Sequence, residues 1–169
     1  MEDYDEVKQL ATYSLGQLLQ KEASAALGVR AVYRCATLKR HTRWQMWAFL
    51  QLYDLKASDK EALVEAKLLF EEAFPKDEDQ ATRDNVIENV VNSYLKDRRN
   101  LAGDKFLTSS IDHVEALYKV EEECLLREPR PHALDRLARL IRIIVNTKNN
   151  AQNYLMSLER GGEPPKPTE

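Results

Sequence analysis

"TRWQMWAFLQLYDL", residues 42–55, decides how this chain is read. Thr42 followed three residues later by Gln45 is a capping-box pattern, which predicts a helix starting there. His41 and Met46 take the two positions of a hydrophobic staple across that start. From Trp44 to Leu55 only Gln45, Gln51 and Asp54 are polar. A helix that is apolar nearly all round must be covered nearly all round, either as the central helix of a bundle or at a subunit interface. Left facing water, such a segment exposes a patch larger than monomers usually tolerate. Trp44, Met46, Trp47, Phe49 and Leu50 are therefore expected to be mostly buried.

Outward from this stretch, apolar residues recur at three- and four-residue spacing and no segment alternates as a strand does. A first long helix is predicted from about Tyr4 to Leu38, kinked near Gly16 or Gly28. Its stripe reads Val7, Ala11, Leu15, Leu18, Glu22, Ala25, Val29, Val32 or Tyr33, and Ala36. A second capping box, "SDKE" at 58–61, predicts a helix carrying Leu63, Ala66, Phe70 and Ala73 that stops before Pro75. An acidic loop, "PKDEDQ", leads into a helix from about Thr82 to Arg99 with Ile87, Val90, Val91, Tyr94 and Leu95 on its stripe. Gly103 marks a turn. Ser109 or Ser110 caps the next helix, striped by Ile111, Val114, Leu117 or Tyr118, Glu121, Cys124 and Leu125. Pro129 and Pro131 end it, and Pro131 suits the first turn of a last helix through Leu134, Leu137, Ile141, Ile144 and Val145. The asparagines of "NTKNNAQN" leave the extent of that helix open. The expectation is one all-α bundle of five to seven helices over residues 1–160, with 161–169, "GGEPPKPTE", as a disordered tail.

Composition narrows the function. The chain has 169 residues, 31% of them charged, with a net charge of −3. That balance gives no global drive towards nucleic acid or an anionic membrane. Two cysteines, Cys35 and Cys124, cannot form a disulfide framework, and the acidic start is unlike a signal peptide. No apolar run reaches the roughly 18 residues of a membrane span. These features predict a reduced, soluble, cytoplasmic protein.

Four patterns bear on chemistry. Trp44 and Trp47, with Lys39, Arg40 and Arg43 beside them, have the ingredients of a base-stacking platform, though burial explains the rings equally. "RCATLKRH" and "REPRPH" place Arg34 before His41 and Arg127 before His132. Both spacings resemble the Arg–His motif of the HEPN-type helical ribonucleases, and the resemblance, which is confined to them, implies that Arg34 and His41 act on a phosphodiester. Glu22 and Glu121 fall on apolar stripes, as the carboxylates of ferritin-like bundles do, but no Glu-x-x-His accompanies them, so no metal or other cofactor is expected. Arg136, Arg139 and Arg142 recur every three residues on the last helix, opposite in sign to acidic runs elsewhere, an arrangement that can steer partner surfaces together. No phosphate loop, nucleophile elbow or triad spacing occurs. The leading expectation is a non-enzymatic helical interaction module with a protein partner, self-associating as a homodimer. Its contacts are expected from Trp44, Trp47 and Tyr53 or from the three arginines; the rival is the Arg34–His41 ribonuclease.

Overall fold

The computed structural model describes residues 2–20, 23–74, 80–99 and 105–167. Seven helices occur among them: α1 (Glu2–Leu18), α2 (Ala25–Lys39), α3 (Thr42–Leu52), α4 (Glu61–Ala73), α5 (Gln80–Asp97), α6 (Ile111–Arg127) and α7 (Pro131–Arg160). An isolated antiparallel bridge, Arg99 to Phe106, is the only β feature of the described residues. The chain is an all-α bundle. Glu22, residues 75–79 of the acidic loop and Gly103 lie outside the described residues.

The bundle is organised round α3. Trp44, Met46, Trp47, Ala48 and Leu50 are buried, with Phe49 partly so. Helices α2 and α5 pack along α3. Phe49 meets Phe70 and Phe74 at the end of α4, with ring centroids 5.8 Å apart in each case. Trp44 lies 4.9 Å from the Tyr154 ring of α7. An apolar circumference has thus drawn neighbours to every side, as its desolvation requires.

Gln51, the one buried polar side chain of α3, identifies the polar centre of the fold. Its Oε1 accepts a 2.6 Å hydrogen bond from Arg98, a residue with no exposed surface. The same guanidinium donates to the carbonyls of Leu107 and Ser109 at 3.1 and 2.7 Å. Burying a charge is costly unless its donors find acceptors; a carbonyl-rich segment supplies them for Nη1 and Gln51 for Nη2, while Nε has no partner among the described residues. That segment is fastened further: Leu55 N–H donates to Thr108 O, and Ser110 N–H donates to Asp54 Oδ1. Arg83 plays a similar part at the end of α4, donating to Phe70 O and Phe74 O at 2.9 and 2.7 Å.

Two local expectations need correction. The predicted long first helix is two helices, and the break falls between Leu18 and Ala25 rather than at Gly16 or Gly28. Ser24 caps α2 by accepting from Leu27 N–H, and Glu115 of α6 accepts from Ala25 N–H and Ala26 N–H at 3.0 Å each. A carboxylate at that end is also favoured by the helix dipole. Gly28 is a packing residue instead: a Cβ there would lie 2.9 Å from the Leu18 methyls and 3.2 Å from Ala151 Cβ. A side chain there would have to turn the Leu18 methyls aside and push Ala151 back by a few tenths of an ångström.

The second correction concerns capping. Helix α3 begins at Thr42 itself, with His41 in the cap position and no side-chain cap bond. Arg40 explains the tight start: its left-handed backbone, φ 56°, closes α2 and reverses the chain within two residues. At α4 the cap is supplied by Asp59, not Ser58; Asp59 Oδ1 accepts from Glu61 N–H at 3.0 Å. Ser110 does cap α6, accepting from His113 N–H. The extent of the last helix, left open by its sequence, is now fixed: α7 runs unbroken through the asparagine-rich stretch. Asn146 Nδ2 donates to Asp97 Oδ1, Asn150 Nδ2 donates to Asn146 O, and Lys148 donates to Ala23 O. Tertiary bonds offset the poor propensity of these residues.

The tail leaves α7 through Gly161, whose φ of 74° ends the helix. Residues 162–167 have no regular secondary structure, as expected of a tail, but they are held to the bundle: Trp44 Nε1–H donates to Pro165 O at 2.6 Å.

The cap assignment has a direct check. Asp59→Ala should lower stability by roughly 1 kcal/mol, whereas Ser58→Ala should change it little. Denaturant unfolding of the two variants distinguishes them, and the reverse order would move the cap back to Ser58.

Candidate functional site

Two surfaces collect the residues singled out by sequence. The first surrounds Trp44 and Trp47. Their rings pack edge to face, centroids 5.2 Å apart, and are only 3% and 4% exposed. The covering comes from α7, through Tyr154, and from the tail, through Pro165. With the tail in place neither ring offers an open face to a nucleic-acid base or to a second protomer. Tyr53 is half-buried and stacks on Phe49, centroids 5.5 Å apart.

His41 sits at the mouth of this region. Its Nδ1 lies 2.9 Å from Tyr154 OH, and the two rings meet edge to face. Burial, then the neighbouring Lys39 charge, lowers the His41 pKa, while Glu163 of the tail acts to raise it. Burial pushes the Tyr154 hydroxyl well above the ordinary range for tyrosine. The phenol therefore keeps its proton, and the imidazole tautomer sets which of the two groups donates. Arg34, the other half of the Arg–His spacing, is exposed on α2. Arg127 is the last residue of α6 and His132 the second of α7, both exposed. Cys35 is buried and its thiol is pushed up to about 11 by desolvation, which keeps it unreactive; Cys124 is exposed.

The metal-ligand pattern does not assemble among the described residues. No group of three or more histidine, cysteine or acidic side chains is close enough to hold an ion. Glu121 instead pairs with Arg136 at 3.2 Å. Asp54, which no sequence pattern marks, accepts from Ser110 N–H and sits 2.8 Å from His113 Nδ1. The Ser110 bond, helped by His113, holds its carboxyl below the usual range. Its work is to join the end of α3 to the start of α6.

The second surface lies on the α6–α7 hairpin. Arg136 and Arg139 join Arg99 around a cavity of about 320 Å³ floored by Leu107, Leu117, Leu140 and Ile143. Arg142 points elsewhere, donating to the Asp97 carbonyl at the end of α5 at 3.1 Å. All three arginines expected at a partner surface thus have contacts within the chain. Beside them runs a feature that the sequence reading divided wrongly. Leu140 and Ile143 face the core, whereas Leu134, Ile141 and Val145 are 60%, 42% and 49% exposed. With the exposed Ala138 these form a 4-3-4 stripe, the spacing of a coiled-coil seam. The signal was present in the sequence, but the helix carries apolar residues on both sides and periodicity alone does not say which side is covered.

No protein family, curated protein or solved structure matches the chain. No helix of the described residues is long and apolar enough to cross a membrane.

The burial of His41 sets a pH response. A folded-state pKa below the ordinary 6.5 means that the unfolded chain binds the proton more readily, so stability is lost as pH falls through that value. Wild-type protein should melt at a lower temperature at pH 5 than at pH 7.5. His41→Gln should flatten this dependence; an unchanged slope would show that the imidazole is not held neutral by its surroundings.

Proposed function

We propose that the chain is a non-enzymatic helical interaction module that associates with a second copy of itself through α7. The exposed stripe of Leu134, Ala138, Ile141 and Val145 carries this reading. An apolar seam of coiled-coil spacing is the surface that another helix covers, and its position outside the bundle core leaves it without a function in folding the protomer.

Charge selects the partner and its direction. In the heptad frame set by the stripe, Asp135 and Arg142 occupy equivalent flanking positions one heptad apart. When two such helices pack antiparallel about a twofold axis, Leu134 meets Val145 of the other copy and Ala138 meets Ile141. The same axis brings Asp135 of each copy near Arg142 of its mate, giving two opposite-charge pairs. A parallel pairing sets Arg142 against the apolar Leu137 and leaves Asp135 opposite Arg130, which precedes the helix. The isologous, antiparallel dimer is therefore the arrangement that this flank favours. Arg142 donates one nitrogen to Asp97 O, which leaves further N–H groups for the partner's carboxylate.

A seam of three helical turns is small beside the roughly 1,600 Å² of a standard interface, so the dimer should be reversible and concentration-dependent. Mass measured by light scattering should rise from monomer towards dimer with concentration. Ile141→Glu should hold the protein as a folded monomer. Asp135→Arg and Arg142→Asp should each weaken association about tenfold, as losing charge pairs of order 1 kcal/mol does, and the double reversal should restore it. A monomer at every concentration, or single reversals without effect on the dimer, would contradict the reading.

A further inference from the structure

We propose that the cleft over Trp44, Trp47 and Tyr154 is a recognition site for an extended Glu-Pro-Pro-x-Pro segment. The chain's own residues 163–167 occupy it in cis, and the same kind of segment from a protein partner can take their place.

The tail's covalent structure makes it a preformed ligand. Glu163, Pro164 and Lys166 each precede a proline, which disfavours helical backbone at those positions, and the proline rings fix φ at 164, 165 and 167. Such a segment loses little conformational freedom on docking. It also lacks most of its N–H donors, so a site that reads it must supply aromatic faces for the rings and a donor for a carbonyl. The cleft has both. The rings of Trp44, Trp47 and Tyr154 lie against one another, with the Trp44 ring central. Trp44 Nε1–H reaches Pro165 O at 2.6 Å.

Both ends of the segment have their own receptors. Glu163 is close enough to His41 to act on its charge, at a mouth that also carries Lys39, whose charge reaches the same imidazole. An acidic residue ahead of the prolines suits that mouth. At the far end Pro167 helps to line a small cavity with Trp47, Gln51, Tyr94, Thr147 and Asn150. Tyr94 OH and Thr147 Oγ1 are buried there without a hydrogen-bond partner among the described residues. Pro167 therefore closes a space of only about 10 Å³ over these two hydroxyls and seals the far end of the cleft. From His41 through Trp44 to Trp47, the receptors follow α3 in the same order as 163, 165 and 167 follow the tail. The cleft is therefore a track that reads an extended strand residue by residue.

Tethering explains why the site is closed in this structure. Gly161 and Gly162 join the segment to α7, so its effective concentration at the cleft is high and a free peptide competes poorly. The site is separate from the α7 stripe and does not rest on the dimer reading.

The test uses the full chain in two forms: wild type, and a variant with Glu163→Lys, Pro164→Gly, Pro165→Gly and Pro167→Gly. The probe is the synthetic, fluorescently labelled peptide GGEPPKPTE. The variant should keep its helical circular dichroism, show tryptophan emission more accessible to acrylamide, and bind the peptide one to one. Wild type should bind it at least about tenfold more weakly, because its own tail competes. Adding Trp44→Phe to the variant keeps a ring but deletes the donor, and should cost about tenfold in peptide affinity. A peptide with alanine at the three proline positions should not bind measurably. A folded variant whose tryptophans remain protected, or which ignores the peptide, would overturn the proposal, as would equal affinity for the alanine peptide or no loss with Trp44→Phe.

Discussion

A helix with apolar side chains on nearly every face cannot stop collecting neighbours until all of them are dry, and α3 imposes that constraint on this fold. The eleven residues from Thr42 to Leu52 determine where α2, α4, α5 and α7 must lie. The helical neighbours still leave a gap, and the tail closes it over Trp44. The same constraint accounts for Gln51. A polar side chain in such a helix needs a partner that can itself be buried, and the fully enclosed Arg98 is that partner. Arg98 in turn orders residues 107–109 and so positions the start of α6. Apolar coverage and one buried guanidinium together place six of the seven helices.

The features legible in the sequence were those set by local chemistry. Helical periodicity, the Pro131 start of α7 and the Ser110 cap all depend on residues within a turn of one another. What stayed hidden was set by residues far apart. Glu115 reaches α2's first turn from 89 and 90 residues away, and it, rather than a glycine, decides where the first long helix divides. Asn146 and Lys148 sustain α7 only because Asp97 and Ala23 are beside them in space. Thr42 failed as a cap because the left-handed turn at Arg40 already fixes the start of α3. The candidate sites follow the same division. Tryptophan burial could be read from composition, but the segment doing part of the burying was the one that looked too proline-rich and polar to be ordered.

The two surfaces have different physical characters. The α7 seam is flat, apolar and charge-flanked, features that fit a helix approaching side by side. The cleft over α3 is narrow, aromatic and provided with a donor, features that fit an extended strand without N–H groups. The two surfaces are separate on α7, since the stripe spans 134–145 while the cleft contacts α7 at Tyr154, so the two proposed associations do not compete. Among the described residues, the Arg34 and His41 pair has its imidazole engaged with a phenol, and the buried Cys35 is kept protonated.

The central claim is that α3 is enclosed by its own chain and not by a second protomer. Acrylamide quenching of tryptophan emission, recorded at concentrations where light scattering shows monomer alone, tests it most directly. Trp44 and Trp47 are the only tryptophans, so the signal reports α3 and nothing else. The account predicts emission that is blue-shifted and protected in the monomer and unchanged when Ile141→Glu blocks the seam. Tryptophans that are freely quenched in the monomer and become protected only on dimerisation would contradict it, because α3 would then be covered by a partner and the fold would be organised about an interface instead of a core.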